Sequence, residues 1–425
     1  MKVVIAGAGF GGMRLARKLN NKPGFDVLLL DKYNYHQFQP LFYQVATAGL
    51  DASNISFPLR KVFQKSRNVR IRMAEIREIK PDQKVLVTDQ ESISYDVLVL
   101  ATGADTNFFG NPGVERYAFP MKSTTEALQL RYRILRNFEQ ALTVKDADEL
   151  QNLMNIVVVG AGPTGVELSG ALAEMKHYVL PKDYPELDFS KMQIFLLEGT
   201  GKTLGAMSEQ SAARSRKYLD KLGVTVRTNS LLKDYDGKTV TLQDGTTIPS
   251  STVIWAAGIK GNVPVGIDTS LIARGNRIRV DEYCRVNGYN NNMYALGDLA
   301  YLEEPAYPNG HPQVAPVAIQ MADLIAENLK REVRGKTPLV FRYRNKGSMA
   351  TVGRNLAVVD VPKPKLHLGG FLAWLTWMTL HLMLILGVKN RFFVFCNWLY
   401  NYFTYDQNLR LIFREFDKPD KTHRS

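Results

Sequence analysis

Two stretches of this chain carry the same pattern of apolar and small residues. Val3-Val4-Ile5-Ala6 is a short β-branched run that gives way to Gly7-Ala8-Gly9-Phe10-Gly11-Gly12, and Ile156-Val157-Val158-Val159 leads in the same way to Gly160-Ala161-Gly162-Pro163-Thr164-Gly165. Helix-forming residues follow each glycine turn. A short apolar run bounded by glycines predicts a buried strand, and the stretch after it a helix. The likeness continues downstream. Asp26 to Asp31 and Gln193 to Glu198 are second apolar strands, each closing on an acid. In the first unit Lys84 to Thr88 and then Tyr95 to Gly103 follow. In the second, Lys238 to Leu242, the Asp244-Gly245 turn and Ser251 to Gly258 repeat that plan, Asp-Gly between alternating runs being a hairpin signal. Tyr178 to Ser190 interrupts the second unit as an inserted, proline-containing loop. The pattern predicts a duplicated α/β scaffold.

Near residue 339 the pattern changes. Leu368 to Val388 is a charge-free apolar run, with Lys363 and Lys365 before it and Lys389 and Arg391 after it. About twenty such residues suffice to cross a bilayer, but Gly369-Gly370 shorten the predicted helix to about Phe371 to Leu386, and His381 lies within it. A second aromatic segment, Phe392 to Phe403, places Asn397 and Asn401 four apart on one helical face with Trp398 and Tyr402 beside them, which predicts that this face lies among lipid headgroups. The segment is read as two short helices embedded in one leaflet, in preference to a span or a buried helical hairpin.

Composition narrows the classes. With 425 residues, 45% of them apolar, the chain predicts two to three folded domains. Its two cysteines, Cys284 and Cys396, form no CxxC, and Met1-Lys2 runs directly into the first strand, so structural disulfides and secretion are not expected. No dithiol redox pair and no metal cluster is expected either, the six histidines being scattered. The net charge of +13 calls for an anionic partner, and Leu339 to Ser425 holds thirteen Lys or Arg against five Asp or Glu. That placement favours an anionic lipid surface. No basic run interleaved with aromatics occurs in the α/β region, so nucleic acid is not expected.

The glycine turns carry the chemistry. A strand, a GxGxxG turn and a helix present backbone N–H groups to a dinucleotide pyrophosphate, and an acid about twenty residues on accepts from the ribose hydroxyls. Asp31 is placed for this in the first unit and Glu198, after a longer gap, in the second. Two such sites imply two dinucleotides. The negative charge of Glu198 disfavours a dinucleotide that bears a 2′-phosphate, with Lys202 close enough to oppose it.

This layout resembles the two-dinucleotide-binding-domain flavoproteins over nearly the whole chain. The resemblance implies FAD in the first unit, a nicotinamide cofactor in the second, and a flavin-binding role for Gly297-Asp298 at the end of the strand from Asn292. With the apolar tail added, the chain resembles the type II NADH dehydrogenases, the single-subunit, non-pumping NADH:quinone oxidoreductases. Gly160 to Glu167 is similar to that family's nicotinamide turn, and Lys346-Gly347-Ser348-Met349-Ala350-Thr351-Val352-Gly353 to its C-terminal KGxMAxxG segment. On the flavin side the resemblance implies Gly7, Gly9, Phe10, Gly11, Gly12, Asp31 and Lys32 at the first turn. It implies Gln44 and Thr47 at the isoalloxazine edge, Ala74 at the adenine, and Ala101, Thr102 and Gly103 after the later strand. Gly297, Asp298, Val314, Ala315 and Lys346 complete that set. For NADH it implies Gly160, Gly162, Pro163, Thr164, Gly165, Glu167, Glu198, Ala257 and Gly258. For the quinone it implies Ala315, Pro316, Ile319, Gln320 and Lys346. The family's AQxxxQ string is here Ala315-Pro316-Val317-Ala318-Ile319-Gln320. Its first glutamine is replaced by a proline that has neither a side-chain amide nor a backbone N–H.

Catalytic roles are expected for Glu167, Lys346 and Gln320. As a first-turn helix residue Glu167 would be no more than a charge that suits the macrodipole; its position after the nicotinamide turn favours a carboxylate beside the flavin that anchors the carboxamide or relays a proton to reduced quinone, while His36 is expected to serve in packing or hydrogen bonding. The expected architecture is an FAD domain of residues 1–122 and 263–336, an NADH domain of 123–262 and a membrane-associated region of 337–425. The expected reaction is ping-pong-like, from NADH through FAD to menaquinone or ubiquinone, without cation pumping, at the cytoplasmic face of the cell membrane. A homodimer is left open. Two other classes fit the residues: a soluble NAD(P)H-dependent flavin oxidoreductase, and a flavin-bound NADH sensor, with the tail as a dimer or partner surface.

Overall fold

The computed structural model describes residues 1–289 and 291–413. Four strands of the first unit are central to it: β1 (Lys2–Ala6), β2 (Asp26–Asp31), β3 (Val69–Met73) and β4 (Val97–Leu100). Four more follow the midpoint: β5 (Ile156–Val159), β6 (Ile194–Leu197), β7 (Thr225–Arg227) and β8 (Thr252–Trp255). The first set forms a parallel sheet in the order β3-β2-β1-β4, and the second a parallel sheet in the order β7-β6-β5-β8. The duplication read from the sequence is therefore a duplication of topology. A later strand, β9 (Met293–Ala295), returns to the first sheet beside β4, so this segment from far along the chain completes the sheet of the first unit.

Strands β1, β5 and β8 are buried on both faces, which is why they read as unbroken apolar runs rather than alternating ones. In each sheet the chain leaves the first strand on one side for its second and third strands, then crosses to the other side for its fourth. That reversal opens a crevice at the carboxyl ends of β1 and of β5, where ligands of such sheets bind. The helices that follow the glycine turns are α1 (Phe10–Leu19) and, in the second unit, α3 (Pro163–Tyr178); between them lies the short α2 (Phe42–Ala46). The inserted loop after Tyr178 contains one helical turn, Leu180–Asp183.

Helices α4 (Glu209–Lys221) and α5 (Ala315–Val333) precede a three-stranded antiparallel sheet of β10 (Ser348–Gly353), β11 (Leu356–Val361) and β12 (Leu366–Gly369). That sheet packs on the second unit. Asp360 on β11 accepts from Ser208 N at 2.7 Å, Ser211 Oγ at 2.6 Å and His367 Nδ1 at 2.7 Å, so it caps α4 from outside the helix. A Cβ on Gly170 of α3 would lie 1.5 Å from the Val352 carbonyl oxygen, so only glycine permits this helix to press against β10.

The tail forms α6 (Phe371–Leu384) and α7 (Val388–Thr404). Two short helices are thus present, as expected, and among the described residues no helix is long and apolar enough to cross a membrane. The facing of α7 differs from the expectation. Asn390, Asn397, Trp398 and Asn401 point into the protein: Asn390 Nδ2 donates to the carbonyls of Ser53, Asn54 and Ser56, and Asn401 Nδ2 to that of Gly49 at 3.2 Å. The outward face is Phe392, Phe395, Leu399 and Phe403, the last 74% exposed. The asparagines turn inward because the 49–56 segment presents carbonyls that need donors. The last part of the 337–425 region, residues 414–425, lies outside the described residues.

Candidate functional site

The two glycine turns are built alike. Gly7 N donates to Leu30 O at 2.8 Å and Gly160 N to Leu197 O at 2.7 Å. Ala8 N donates to Asp31 Oδ2 and Ala161 N to Glu198 Oε2, both at 2.7 Å. Each acid therefore braces its own turn, a role the spacing alone did not reveal. The second oxygen accepts from the following loop, from Tyr33 N for Asp31 and from Thr200 N and Oγ1 for Glu198, all at 2.8 Å. Burial raises the Asp31 pKa against these hydrogen bonds. Lys202 is ion-paired with Glu209.

The glycines test whether a dinucleotide fits. A Cβ on Gly7 or Gly160 would meet the backbone of Ala101 or Ala256 at 2.2 and 2.6 Å, and one on Gly12 or Gly165 the carbonyl of Gly7 or Gly160 at 1.8 and 1.9 Å. These four are closed by the protein itself. The middle glycines, Gly9 and Gly162, and also Gly103 face open space, with nothing within 4 Å. Open backbone at the start of a helix is where a pyrophosphate is received, so both turns suit a dinucleotide.

Asp298 lies in a tight turn after β9. Burial raises its pKa, with Lys122 and Arg277 opposing. Gln313 Nε2 donates to its carbonyl at 2.9 Å, tying this turn to the start of α5, whose N-cap is Val314 and whose first residues are Ala315 and Pro316. His36 is buried with Nδ1 2.9 Å from the Ala8 carbonyl and its ring edge-on to Phe10, a packing role as expected.

A cavity of about 120 Å³, open to solvent, lies among α2, α3, β10, α6 and α7. Tyr43, Gln44 and Thr47 wall one side, Glu167, Ala171 and Glu174 another, and Thr351 to Arg354 a third. Trp374, Trp377, Met378, Trp398 and Asn401 close it from the tail. Glu167 is the fifth residue of α3 and stands in its second turn, because the helix begins at Pro163, so it is not the first-turn residue expected. It is 8% exposed. Its Oε1 accepts from Thr351 N at 3.3 Å and from the Trp377 indole at 3.2 Å. Burial outweighs both donors, and its pKa is pushed up to about 8, so at neutral pH the group is chiefly a carboxylic acid.

The structure brings Glu167 together with Gln44 and Thr47. It does not place Gln320 or Lys346 in this cavity. Both amide atoms of Gln320 pair with the backbone of Arg344, Nε2 to its carbonyl at 3.0 Å and its N–H to Oε1 at 2.9 Å, so this side chain latches the segment that leads to Lys346. Lys346 itself is exposed. Sequence reasoning missed Tyr43, Glu174, Trp377 and Trp398. Glu174 was readable, since positions seven apart share a helical face; the other three have no such signal.

Comparison with known proteins places these features in a family. Residues 1–322 match the model of the pyridine nucleotide-disulphide oxidoreductases, and residues 345–405 that of the NDH2 C-terminal domain. The chain is 36% identical to the type II NADH:quinone oxidoreductase Ndh of Mycobacterium tuberculosis, over 93% of this chain and 87% of that one. It is 27% identical to the type II NADH:quinone oxidoreductase of Staphylococcus aureus, over 83% and 87%. Its fold superposes on NDH2 of Plasmodium falciparum, solved with NADH, with a TM-score of 0.85 at 21% identity over 95% of this chain and 98% of that one. The Aquifex aeolicus sulfide:quinone oxidoreductase shares the fold more loosely, with a TM-score of 0.70 at 20% identity over 92% of each. Twin nucleotide turns, a terminal sheet pressed on the second of them and a sequence likeness running through both make the chain a member of the type II NADH:quinone oxidoreductase family.

Proposed function

We propose that the chain oxidises NADH with a membrane quinone as acceptor, through FAD held at the first glycine turn. The observation that carries the reading is the cavity. Its inner end is a carboxyl group, Glu167, on the helix of the nicotinamide turn, and its outer wall is made by the apolar tail. When bound, FAD supplies the two-electron relay between nicotinamide and quinone. Gly9, the N-terminus of α1 and Asp31 would hold its pyrophosphate and ribose, and Asp298 with the start of α5 would hold the remainder. Gly162, the N-terminus of α3 and Glu198 would receive NADH, with Ala257 exposed beside the turn and Gly258 making room for the Phe109 ring that borders it.

Net conversion of NADH and quinone to NAD⁺ and quinol takes up one proton. Glu167, neutral at pH 7, gives that proton to a quinone oxygen and is reprotonated from water along the Glu174 side of the cavity. Trp374, Trp377 and Met378 offer an apolar path for the quinone's hydrocarbon tail. The outward aromatic face of α7 and the exposed Phe371, Leu372, Leu375 and Met383 of α6 seat this mouth on a lipid bilayer, with Lys389 and Arg391 toward anionic headgroups. We place this surface on the cytoplasmic face of the cell membrane, where NADH is present. Gln320 and Lys346 act here by fixing the segment that enters β10. The domain limits 1–122 with 263–336, 123–262 and 337–425 accord with this division of labour.

The test is spectroscopic. The purified protein should be yellow, bleach on anaerobic addition of NADH and regain its colour on addition of a short-chain quinone. Bleaching without recovery by quinone would refute the assignment of acceptor, and a colourless protein that takes up no flavin would refute the whole.

A further inference from the structure

We propose that the Tyr43 hydroxyl donates a hydrogen bond to a carbonyl oxygen of the quinone, held in position for this by Trp398 of α7 acting through Gln44. The inference rests on the reading of the cavity as the quinone's site.

Hydrogen-bond accounting leads to it. The Trp398 indole Nε1 lies 2.7 Å from Gln44 Oε1. An indole N–H only donates, so the Gln44 amide oxygen must face it, and the orientation of that amide is thereby settled. Its NH₂ group faces the other way and donates to the Tyr43 hydroxyl oxygen at 2.8 Å. The tyrosine oxygen is therefore an acceptor toward Gln44, and its own hydrogen must be given elsewhere. Among the described residues it has no other protein partner within bonding distance. Tyr43 is 6% exposed, and its side chain lines the cavity that also holds Glu167. A buried hydroxyl with an unassigned hydrogen facing a cavity is a donor awaiting an acceptor. A quinone carbonyl accepts and cannot donate, and so matches it.

The chemistry suits a donor that keeps its proton. Burial and then the nearby Glu167 raise the Tyr43 pKa well above its ordinary value, so the phenol stays protonated throughout. It holds the oxygen on which negative charge develops as electrons arrive, which is the pattern of preorganised donor stabilisation, while Glu167 supplies the proton. No bond to Tyr43 is made or broken. Trp398 touches neither reactant and is a positioning residue.

Tyr43→Phe in the full-length, flavin-loaded protein separates these roles. Bleaching by NADH serves as the control for folding and for the first half-reaction. kcat/KM for quinone should fall by about 10²-fold, and the loss should be largest for quinones with the most basic carbonyls. Infrared difference spectra of bound, carbonyl-labelled quinone should show a hydrogen-bond-lowered stretch in the wild type that returns toward the free frequency in the variant. Trp398→Phe should show a smaller movement in the same direction, and decides the matter if Tyr43→Phe does not fold. An unchanged carbonyl frequency in the variant, or unchanged kcat/KM, would overturn this assignment alone. Wild-type protein that quinone cannot reoxidise would overturn the underlying reading together with it.

Discussion

Glu167 offers a prediction in which catalysis and stability are tied to one proton. Burial lifts its pKa from the ordinary 4.5 to about 8, so the carboxyl is an acid at pH 7 and loses its proton above pH 8. If it is the proton source, quinone reduction should be flat below pH 8 and fall about tenfold per pH unit beyond it. Replacing Glu167 by Gln should remove that limb and lower kcat by about 10²- to 10⁴-fold. The same shift has a thermodynamic sign. Between pH 4.5 and 8 the unfolded chain has released this proton while the folded chain retains it, so folding binds a proton and stability falls as pH rises through that window. At pH 7 the loss is roughly 3 kcal/mol, at 1.36 kcal/mol per decade. The Gln variant carries no such loss. Its unfolding free energy by urea titration should match the wild type near pH 4.5 and exceed it by roughly 3 kcal/mol at pH 7. Two results would refute this reasoning: a basic limb that survives in the variant, or a stability difference that does not vary with pH.

Three further outcomes follow from the geometry. Gly9→Ala and Gly162→Ala each put a methyl group into open space where a pyrophosphate is received; the first should purify colourless and the second yellow with a raised KM for NADH, and the reverse assortment of colour and KM would mean that the two turns are wrongly assigned. Phe392 and Phe403 stand outward on α7, and at about 2 kcal/mol per buried ring changing both to Glu should weaken binding to anionic liposomes by about 10³-fold in flotation assays while leaving NADH bleaching intact; undiminished flotation would place the bilayer on another surface. Burial pushes the Asp360 pKa up, but hydrogen bonds from Ser211, Ser208 and His367 hold it below its ordinary value, so its contribution is present above the ordinary carboxylate range and is lost as pH falls through the depressed value. Asp360→Ala should cost about 2 kcal/mol at pH 7 with the cost shrinking in acid, and a cost constant with pH would contradict the capping role.

What could be read from the residues was what depends on neighbours close along the chain. The glycine turns, the acids that close β2 and β6, and the strand ahead of Gly297-Asp298 obey spacings of a few residues, and all stand where the pattern put them. The face of α7 was misread because hydropathy records which side chains are polar but not which backbone groups lack donors. Asn390 and Asn401 answer carbonyls more than 330 positions away. Gln320 was expected at the quinone because it keeps the second glutamine of the family's AQxxxQ string, and a string does not show that both of its amide atoms pair with the Arg344 backbone. Glu167 moved one turn along α3 only because Pro163 starts the helix. The hydrogen bond from Trp377 to Glu167 joins positions 210 apart and leaves no trace in local pattern.

The tail is thereby more than an attachment to an enzyme complete without it. Both hydrogen bonds to Glu167 come from beyond residue 350, one from the β10 backbone and one from α6. The donor that orients Gln44, and through it Tyr43, comes from α7. The same elements, with Tyr43, Gln44 and Thr47 opposite, wall the cavity in which Glu167 is buried. The exposed apolar side chains of α6 and α7 and the indoles that these helices send into the cavity thus lie on opposite faces of the same two helices. An outward shift of α6 or α7 would withdraw an indole from the cavity, so the proposed seating on a bilayer and the proposed protonation of quinone make one structural condition.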